Sequence, residues 1–322
     1  MNPLVSIIIP CYNAERWIAE AIESALAQTY SPVEVIVIDD GSTDNTLKIV
    51  QSFGNPKIKW ETGTNQGGNV VRNKGFGLSK GEYIQWLDAD DYLLPEKIEH
   101  QTAYLQRTGC DIVYGDWRHQ FHEENDHIWL GDIKESGNQE DILEALLSGW
   151  WAAPLAYLMK REIVEKIGGW DEKLRAGQDR DFWLRAAIAG AKFSYQSGCH
   201  SIYRRYGNVT VSTKNRKVWC DYHGKILEKS LALLQEKKLL NDTYKMALAK
   251  SHFHLARNYF VVDKISYRYQ MDAVKKLAPC FRSNESLFYN IFSRVLGFNF
   301  AENIAVFKRR FTGIFYQINQ RT

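Results

Sequence analysis

Two short segments each place clustered carboxylates at the end of an apolar run: Val33-Glu34-Val35-Ile36-Val37-Ile38-Asp39-Asp40-Gly41-Ser42 and Tyr83-Ile84-Gln85-Trp86-Leu87-Asp88-Ala89-Asp90-Asp91. A β-rich run ending this way sets its acids at the carboxyl edge of a parallel strand, where open α/β sheets hold their ligands. Carboxylates brought together repel one another. Two such edges facing one pocket therefore imply a divalent cation with phosphate oxygens, or hydroxyl groups donating hydrogen bonds. A nucleotide sugar carries both.

The elements that must position these acids follow from periodicity. Residues 4–9 read as a buried strand, 14–29 as a helix, 33–38 as a second strand, and together they make a βαβ unit with a right-handed crossover. A helix from Ser42 or Asp44 to Phe53, a short strand at 57–61, a helix at 67–79 and a strand at 83–87 continue the alternation, which predicts a doubly wound α/β sheet. Beyond Asp91 the pattern predicts a helix over 95–108 and a strand over 111–114. An irregular aromatic stretch over 116–132 would then wall the acceptor side. Helices at 140–147, 161–167 and 178–189 and strands at 157–160, 192–196 and 201–204 complete this part. From Val218 onward helical spacing takes over, so residues 1–215 form the expected catalytic domain and 216–322 a basic helical appendage.

Charge supports that division. Asp and Glu number 30 against 22 Lys and Arg in residues 1–215, and 8 against 19 in residues 216–322, so a net −8 is followed by +11. An acidic front suits metal-assisted handling of a phosphorylated donor. A basic tail suits an anionic membrane surface, an acidic glycan or a nucleic acid, unless it is simply a solvated helix face. Cys11, Cys110, Cys199, Cys220 and Cys280 are scattered and unpaired in spacing, which reads as a reducing compartment. The opening Val5-Ser6-Ile7-Ile8-Ile9-Pro10 is too short and too poor in basic flanks for a signal peptide, and the apolar stretch 150–159 is about half a membrane span. The expected location is cytoplasmic, with any membrane contact peripheral at the inner face.

Taken together the residues resemble the inverting glycosyltransferases of family 2, which have the GT-A fold. Five ordered blocks carry the resemblance: Val5-Ser6-Ile7-Ile8-Ile9-Pro10-Cys11-Tyr12-Asn13, Ile38-Asp39-Asp40-Gly41-Ser42-Thr43-Asp44, Val71-Arg72-Asn73, Leu87-Asp88-Ala89-Asp90-Asp91, and Gly168-Gly169-Trp170-Asp171 followed by Gln178-Asp179. They span roughly residues 4–205, and the tail past Arg216 lies outside. The resemblance implies a Rossmann-like, mostly parallel sheet flanked by helices, with a nucleotide-sugar donor and Mg²⁺ or Mn²⁺. It makes Asp40 the partner of the donor base, with Asp39 beside it and Pro10 and Tyr12 packing near that base. A carboxylate accepting an imide N–H while an aromatic ring stacks on the base favours UDP.

By the same resemblance Asp90 is the metal ligand of a D-x-D element and Asp88 holds the ribose or braces the metal. Arg72 contacts the nucleotide pocket, and Asp179 is the base that takes the acceptor proton. Two positions depart from the family pattern. Gln178 stands where an acidic residue usually precedes the base, and Tyr206 where many relatives carry a His, so Arg204 or Arg205 is expected to supply charge to the diphosphate.

The expected activity is transfer of a sugar to a hydroxyl of a glycan or lipid-linked glycan in cell-surface polysaccharide synthesis. The alternative is a non-catalytic nucleotide-sugar-binding protein, motivated by Gln178 and Tyr206. A nucleotidyltransferase would need a Gly-rich phosphate loop, which residues 10–16 lack, and no nucleic-acid partner is expected. Residues 298–318 set Phe300, Ile304, Phe307, Phe311, Ile314, Phe315 and Ile318 near one face with Lys308, Arg309 and Arg310 between them. This pattern fits either a helix lying in a membrane interface or one packed on the protein.

Overall fold

The computed structural model describes residues 2–123, 127–206, 215–283 and 285–307. Its first half alternates β1 (Val5–Cys11), α1 (Ile18–Leu26), β2 (Val33–Asp39), α2 (Thr46–Ser52), β3 (Ile58–Thr62), α3 (Gly68–Leu78) and β4 (Tyr83–Trp86). The Val- and Ile-rich runs of β1 and β2 are buried at every residue, as parallel strands covered on both faces must be. β1 pairs in parallel with β2 on one side, Val5 opposite Val33, and with β4 on the other, Val5 opposite Tyr83. Strand order therefore reverses at β1, and the switch point between β1 and β4 opens a crevice at their carboxyl ends. α3 sits close over that sheet because residue 75 is glycine: a Cβ there would lie 2.5 Å from the Ile8 side chain.

Helix α1 begins four residues later than its apolar spacing predicts. Asn13 adopts φ +48°, the Ala14 N–H donates to Thr46 Oγ1 at 2.7 Å and the Glu15 N–H to Asp44 at 3.1 Å, so these residues serve the turns instead.

The second half comprises β5 (Tyr92–Leu93), α4 (Lys97–Thr108), β6 (Ile112–His122), β7 (Ile128–Lys134), α5 (Ile142–Ser148), a 3-10 turn (Pro154–Ala156), β8 (Tyr157–Lys160), α6 (Arg161–Ile167), α7 (Gln178–Ile188) and β9 (Phe193–Tyr206). The sheet runs β3-β2-β1-β4-β8-β6-β9-β5, with β7 hydrogen-bonded to β6. β8 is antiparallel to β4 and β6, and β9 is parallel to β6, so the sheet turns mixed past β4.

Two sequence expectations change here. The described residues of 116–132 are not irregular: the end of β6 pairs antiparallel with β7, Phe121 opposite Trp129 with their rings stacked at 4.2 Å. Cross-strand aromatic pairs of this kind stabilise a ladder. The separate strands expected at 192–196 and 201–204 are one strand, β9. It stays in register with β6 across a bulge because Asp116 accepts the Gly198 N–H and the Tyr195 hydroxyl, both at 2.9 Å.

The helical region consists of α8 (Arg216–Glu236), α9 (Asp242–Tyr259), α10 (Lys264–Leu277) and α11 (Leu287–Val295), followed by helical residues 298–307. Asn215, Asn241, Asp263 and Ser286 each cap a helix start by accepting from backbone N–H groups two or three residues on. α8 packs on α7, and α9 on α5 and α10, so one continuous apolar core joins this region to the sheet. Lys229 of α8 ties the two together, reaching Asp171 at 2.6 Å and Asp181 at 2.8 Å. Among the described residues no helix is long and apolar enough to cross a membrane. Phe300, Ile304 and Phe307 are exposed, while the basic and apolar positions of the tail from Lys308 to Ile318 lie outside the described residues.

Candidate functional site

A cleft of about 570 Å³ opens at the switch point, walled by the loop after β1 (Pro10, Tyr12), by Asp40, by Arg72 of α3 and by Asp88 and Asp90 after β4. Asp40 is buried, and its two oxygens accept the Gln66 N–H at 2.7 Å and the Gly67 N–H at 2.9 Å. It thereby fixes the loop entering α3. That loop needs glycine at 67, where φ is +100°. Asp39 is turned away: it accepts from the Ser42 N–H at 3.2 Å and the Thr62 hydroxyl at 2.6 Å, and it is not part of the cleft wall. Tyr12 is half exposed, leaving a free aromatic face in the cleft.

Arg72 donates to Asp88 at 2.7 Å and lies 4.7 Å over the Trp170 ring, which pins one Asp88 oxygen. Asp90 accepts the Tyr206 hydroxyl at 3.0 Å. Burial and then the Asp88 charge hold the Asp90 carboxyl above the usual range, against the Tyr206 hydrogen bond and the Arg204 charge. The deeper Asp91 is raised further, by burial and then by Asp90 and Asp88. The cluster is thus short of positive charge. Carboxylates at positions i and i+2, here Asp88 and Asp90, are hard oxygen donors suited to Mg²⁺ or Mn²⁺. Among the described residues no set of three His, Cys, Asp or Glu side chains gathers around one point, so the remaining ligands would be donor phosphate oxygens and water. On this chemistry the residues fit such an ion.

Arg204 differs from its expected place. Its side chain is fully buried and committed: Nη2 to Glu20 at 2.5 Å, Nη1 to the Asp90 carbonyl at 2.8 Å and Nε to Gln120 at 3.3 Å, with Trp17 4.4 Å away under its plane. It braces the acidic turn. Arg205, partly exposed against the Tyr203 ring at 5.1 Å, is the neighbouring cation on the cavity wall.

A second cavity, of about 640 Å³, shares Asp88, Asp90 and Tyr206 with the cleft and extends to the other side of them. Asp179 lies on its wall in the first turn of α7, accepting the indole N–H of Trp151. Trp151 is held in turn by Trp117, 5.2 Å away, and by Tyr203, 6.2 Å away. Asp181 points elsewhere, buried between Arg185 at 2.6 Å and Lys229 at 2.8 Å. His200 pairs with His100 at 3.3 Å and is not part of either wall.

Sequence reasoning missed the far wall of this cavity, where Trp219 and His223 of α8 and Ser251, His254 and Asn258 of α9 complete it. The only sequence signal was a cluster of Trp, His and Asn in a region otherwise read as an appendage. Gly177, φ +69°, lets that wall close in, since a Cβ there would lie 3.0 Å from His223 and 2.8 Å from Ile226.

The family model described as glycosyl transferase family 2 matches residues 6–168. The chain is 37% identical over 192 residues to an uncharacterized glycosyltransferase of Rickettsia typhi, covering 57% of this chain and 58% of that protein. It is also 43% identical over 239 residues to a chondroitin synthase of Escherichia coli, covering 73% of this chain and 34% of that one. The chain therefore spans little more than half the length of the first relative and a third of the second. Among solved structures, S. aureus TarS 1-349 in complex with UDP-GlcNAc matches with a TM-score of 0.68 at 18% identity, over 95% of this chain and 91% of that one. At that identity the match speaks for the fold, which is that of the GT-A glycosyltransferases.

Proposed function

The chain belongs to glycosyl transferase family 2, and from that premise we propose that it is an inverting, metal-dependent glycosyltransferase that moves a sugar from a UDP-sugar to a saccharide hydroxyl. One observation carries this reading: two cavities meet at Asp88, Asp90 and Tyr206, with Asp179 on the wall of the second. A nucleotide in the cleft would present its diphosphate and sugar at that junction, and an acceptor in the larger cavity would approach the sugar from the far side.

In this reading Tyr12 stacks on the base, and Asp40, already fixed by two backbone N–H groups, keeps lone pairs for a uracil imide N–H. Asp88, braced by Arg72, and Asp90 would hold Mg²⁺ or Mn²⁺; when bound, the ion supplies Lewis-acid neutralisation of the departing diphosphate. Arg205 adds charge at the same place. Asp179 takes the proton of the acceptor hydroxyl as that oxygen bonds to the anomeric carbon and the carbon–phosphate oxygen bond breaks. The Trp151 hydrogen bond orients the carboxylate for this task. The identity shared with a chondroitin synthase supports a saccharide acceptor.

Calorimetric titration with UDP, GDP and dTDP, each with Mn²⁺ and with chelator, tests the donor side. Preferential, Mn²⁺-dependent binding of UDP is expected, and absence of binding by all three would overturn the reading. Gln178, in place of an acid beside Asp179, motivates the second reading of a non-catalytic nucleotide-sugar binder. That reading requires UDP binding with no transfer or donor hydrolysis.

A further inference from the structure

Neighbouring residues on a helix point about 100° apart, and Asp179 and Arg180 divide the cavity accordingly. Asp179 meets Trp151, whereas Arg180 turns to the helical wall. Its Nη2 donates to Ser251 Oγ at 2.7 Å and to the Leu147 carbonyl at 3.3 Å, and its Nη1 faces His223 Nδ1 at 3.3 Å. Every one of these partners is neutral. His223 itself is kept uncharged, pushed down to about 3 by burial and then by Arg180. Among the described residues no carboxylate oxygen lies within 4.0 Å of the Arg180 guanidinium. Its Nε is buried and has no hydrogen-bond partner. Burial brings the Arg180 pKa down to about 10, opposed only by the through-space charge of Asp179.

An arginine whose Nε is cut off from water and has no counter-ion in contact is costly, and the described residues set no carboxylate against it. The cavity that Arg180 lines can hold an anion. The donor diphosphate is not the natural partner, because Arg180 is absent from the nucleotide cleft wall and faces α8 and α9 instead. Arg204, the fully buried guanidinium on the same cavity wall, already has Glu20.

Taking the larger cavity as the acceptor site, as proposed above, we infer that the acceptor is an anionic saccharide whose carboxylate or phosphate docks on Arg180, beside the hydroxyl that Asp179 deprotonates. The role of α8 and α9 follows: they close the pocket in which a neutralised guanidinium distinguishes charged from uncharged acceptors.

The test titrates the full chain, with UDP and Mn²⁺ present, against a glucuronate-containing tetrasaccharide, the same tetrasaccharide methyl-esterified at its carboxylates, and a polyol phosphate oligomer. One anionic probe should bind about tenfold or more tightly than the neutral ester, as a charge-assisted hydrogen bond implies. Which of the two binds tells carboxylate from phosphate. Arg180→Met should remove the preference and Arg180→Lys keep most of it. Equal affinity for ester and acid with no phosphate binding, failure of both anionic probes, or a preference that persists in Arg180→Met would overturn the inference. Should Arg180→Met not fold, the wild-type comparison and Arg180→Lys still decide it. UDP titration in the same samples reads the nucleotide cleft separately, so loss there with intact anion preference would overturn the donor reading alone.

Discussion

In the nucleotide cleft the charged groups have partners supplied by the protein: Asp40 by two backbone N–H groups, Asp88 by Arg72, Asp90 by Tyr206. Across the junction, in the larger cavity, Asp179 has an indole N–H and Arg180 only neutral acceptors. The first region is pre-set for a ligand of fixed chemistry, its loops locked before anything binds. Its acids are left for a cation to complete, whereas the second region holds a cation left for a substrate to complete. Such an arrangement concentrates specificity where acceptors differ and stability where donors are alike.

The sharpest way to break this contrast is Asp179→Asn. Transfer should fall by about 10³-fold or more, as loss of a general base implies, while calorimetric UDP affinity stays at the wild-type value. Retained turnover would remove Asp179 from the base role, and a parallel loss of UDP affinity would mean that the two regions are not separable. Next in size, Asp90→Ala should weaken UDP binding by about tenfold to a hundredfold in Mn²⁺ and leave it insensitive to chelator. Equal binding by Asp90→Ala and the wild type, with Mn²⁺ and with chelator, would exclude an ion at this turn.

A smaller effect is expected at the helical wall. Lys229→Met removes the bridge to Asp171 and Asp181, with Asp181 still held by Arg185, and should lower unfolding stability by about 2 kcal/mol. Burial raises the Asp171 pKa, but the Lys229 hydrogen bond and those around it more than reverse this, leaving it below the ordinary aspartate value. A depressed carboxylate contributes its stabilisation fully above its unfolded-state value and loses it as pH falls through the lower folded-state value. The wild-type melting temperature should therefore drop in that acid window, and the drop should shrink in Lys229→Met. The mildest change, Tyr206→Phe, deletes one hydrogen bond to Asp90 at the junction. It should shift Mn²⁺-dependent UDP affinity by about fivefold, near 1 kcal/mol.

How much of this was legible in the sequence varies along the chain. The Val- and Ile-rich runs of β1 and β2 read directly as buried parallel strands, and the acids after β2 and β4 fall at the sheet edge because strand ends carry what comes next in sequence. The pairing of β6 with β7 was not legible, since it depends on Phe121 meeting Trp129 from another strand. Arg204 was expected to face the diphosphate because of its neighbours in sequence. Its actual commitment is to Glu20, 184 residues away.

Local pattern alone marked β1, β2 and β4 and the acids Asp40, Asp88 and Asp90 that follow β2 and β4, because each depends on residues within a few positions of it, whereas Asp179 was singled out by the family resemblance. Only the tertiary structure decided that two cavities share Asp88, Asp90 and Tyr206, and that α8 and α9 wall the larger one. It also decided that no carboxylate among the described residues meets Arg180 there. A cation's partners are set by which distant elements pack around it, and no spacing in the sequence encodes an ion pair that is absent.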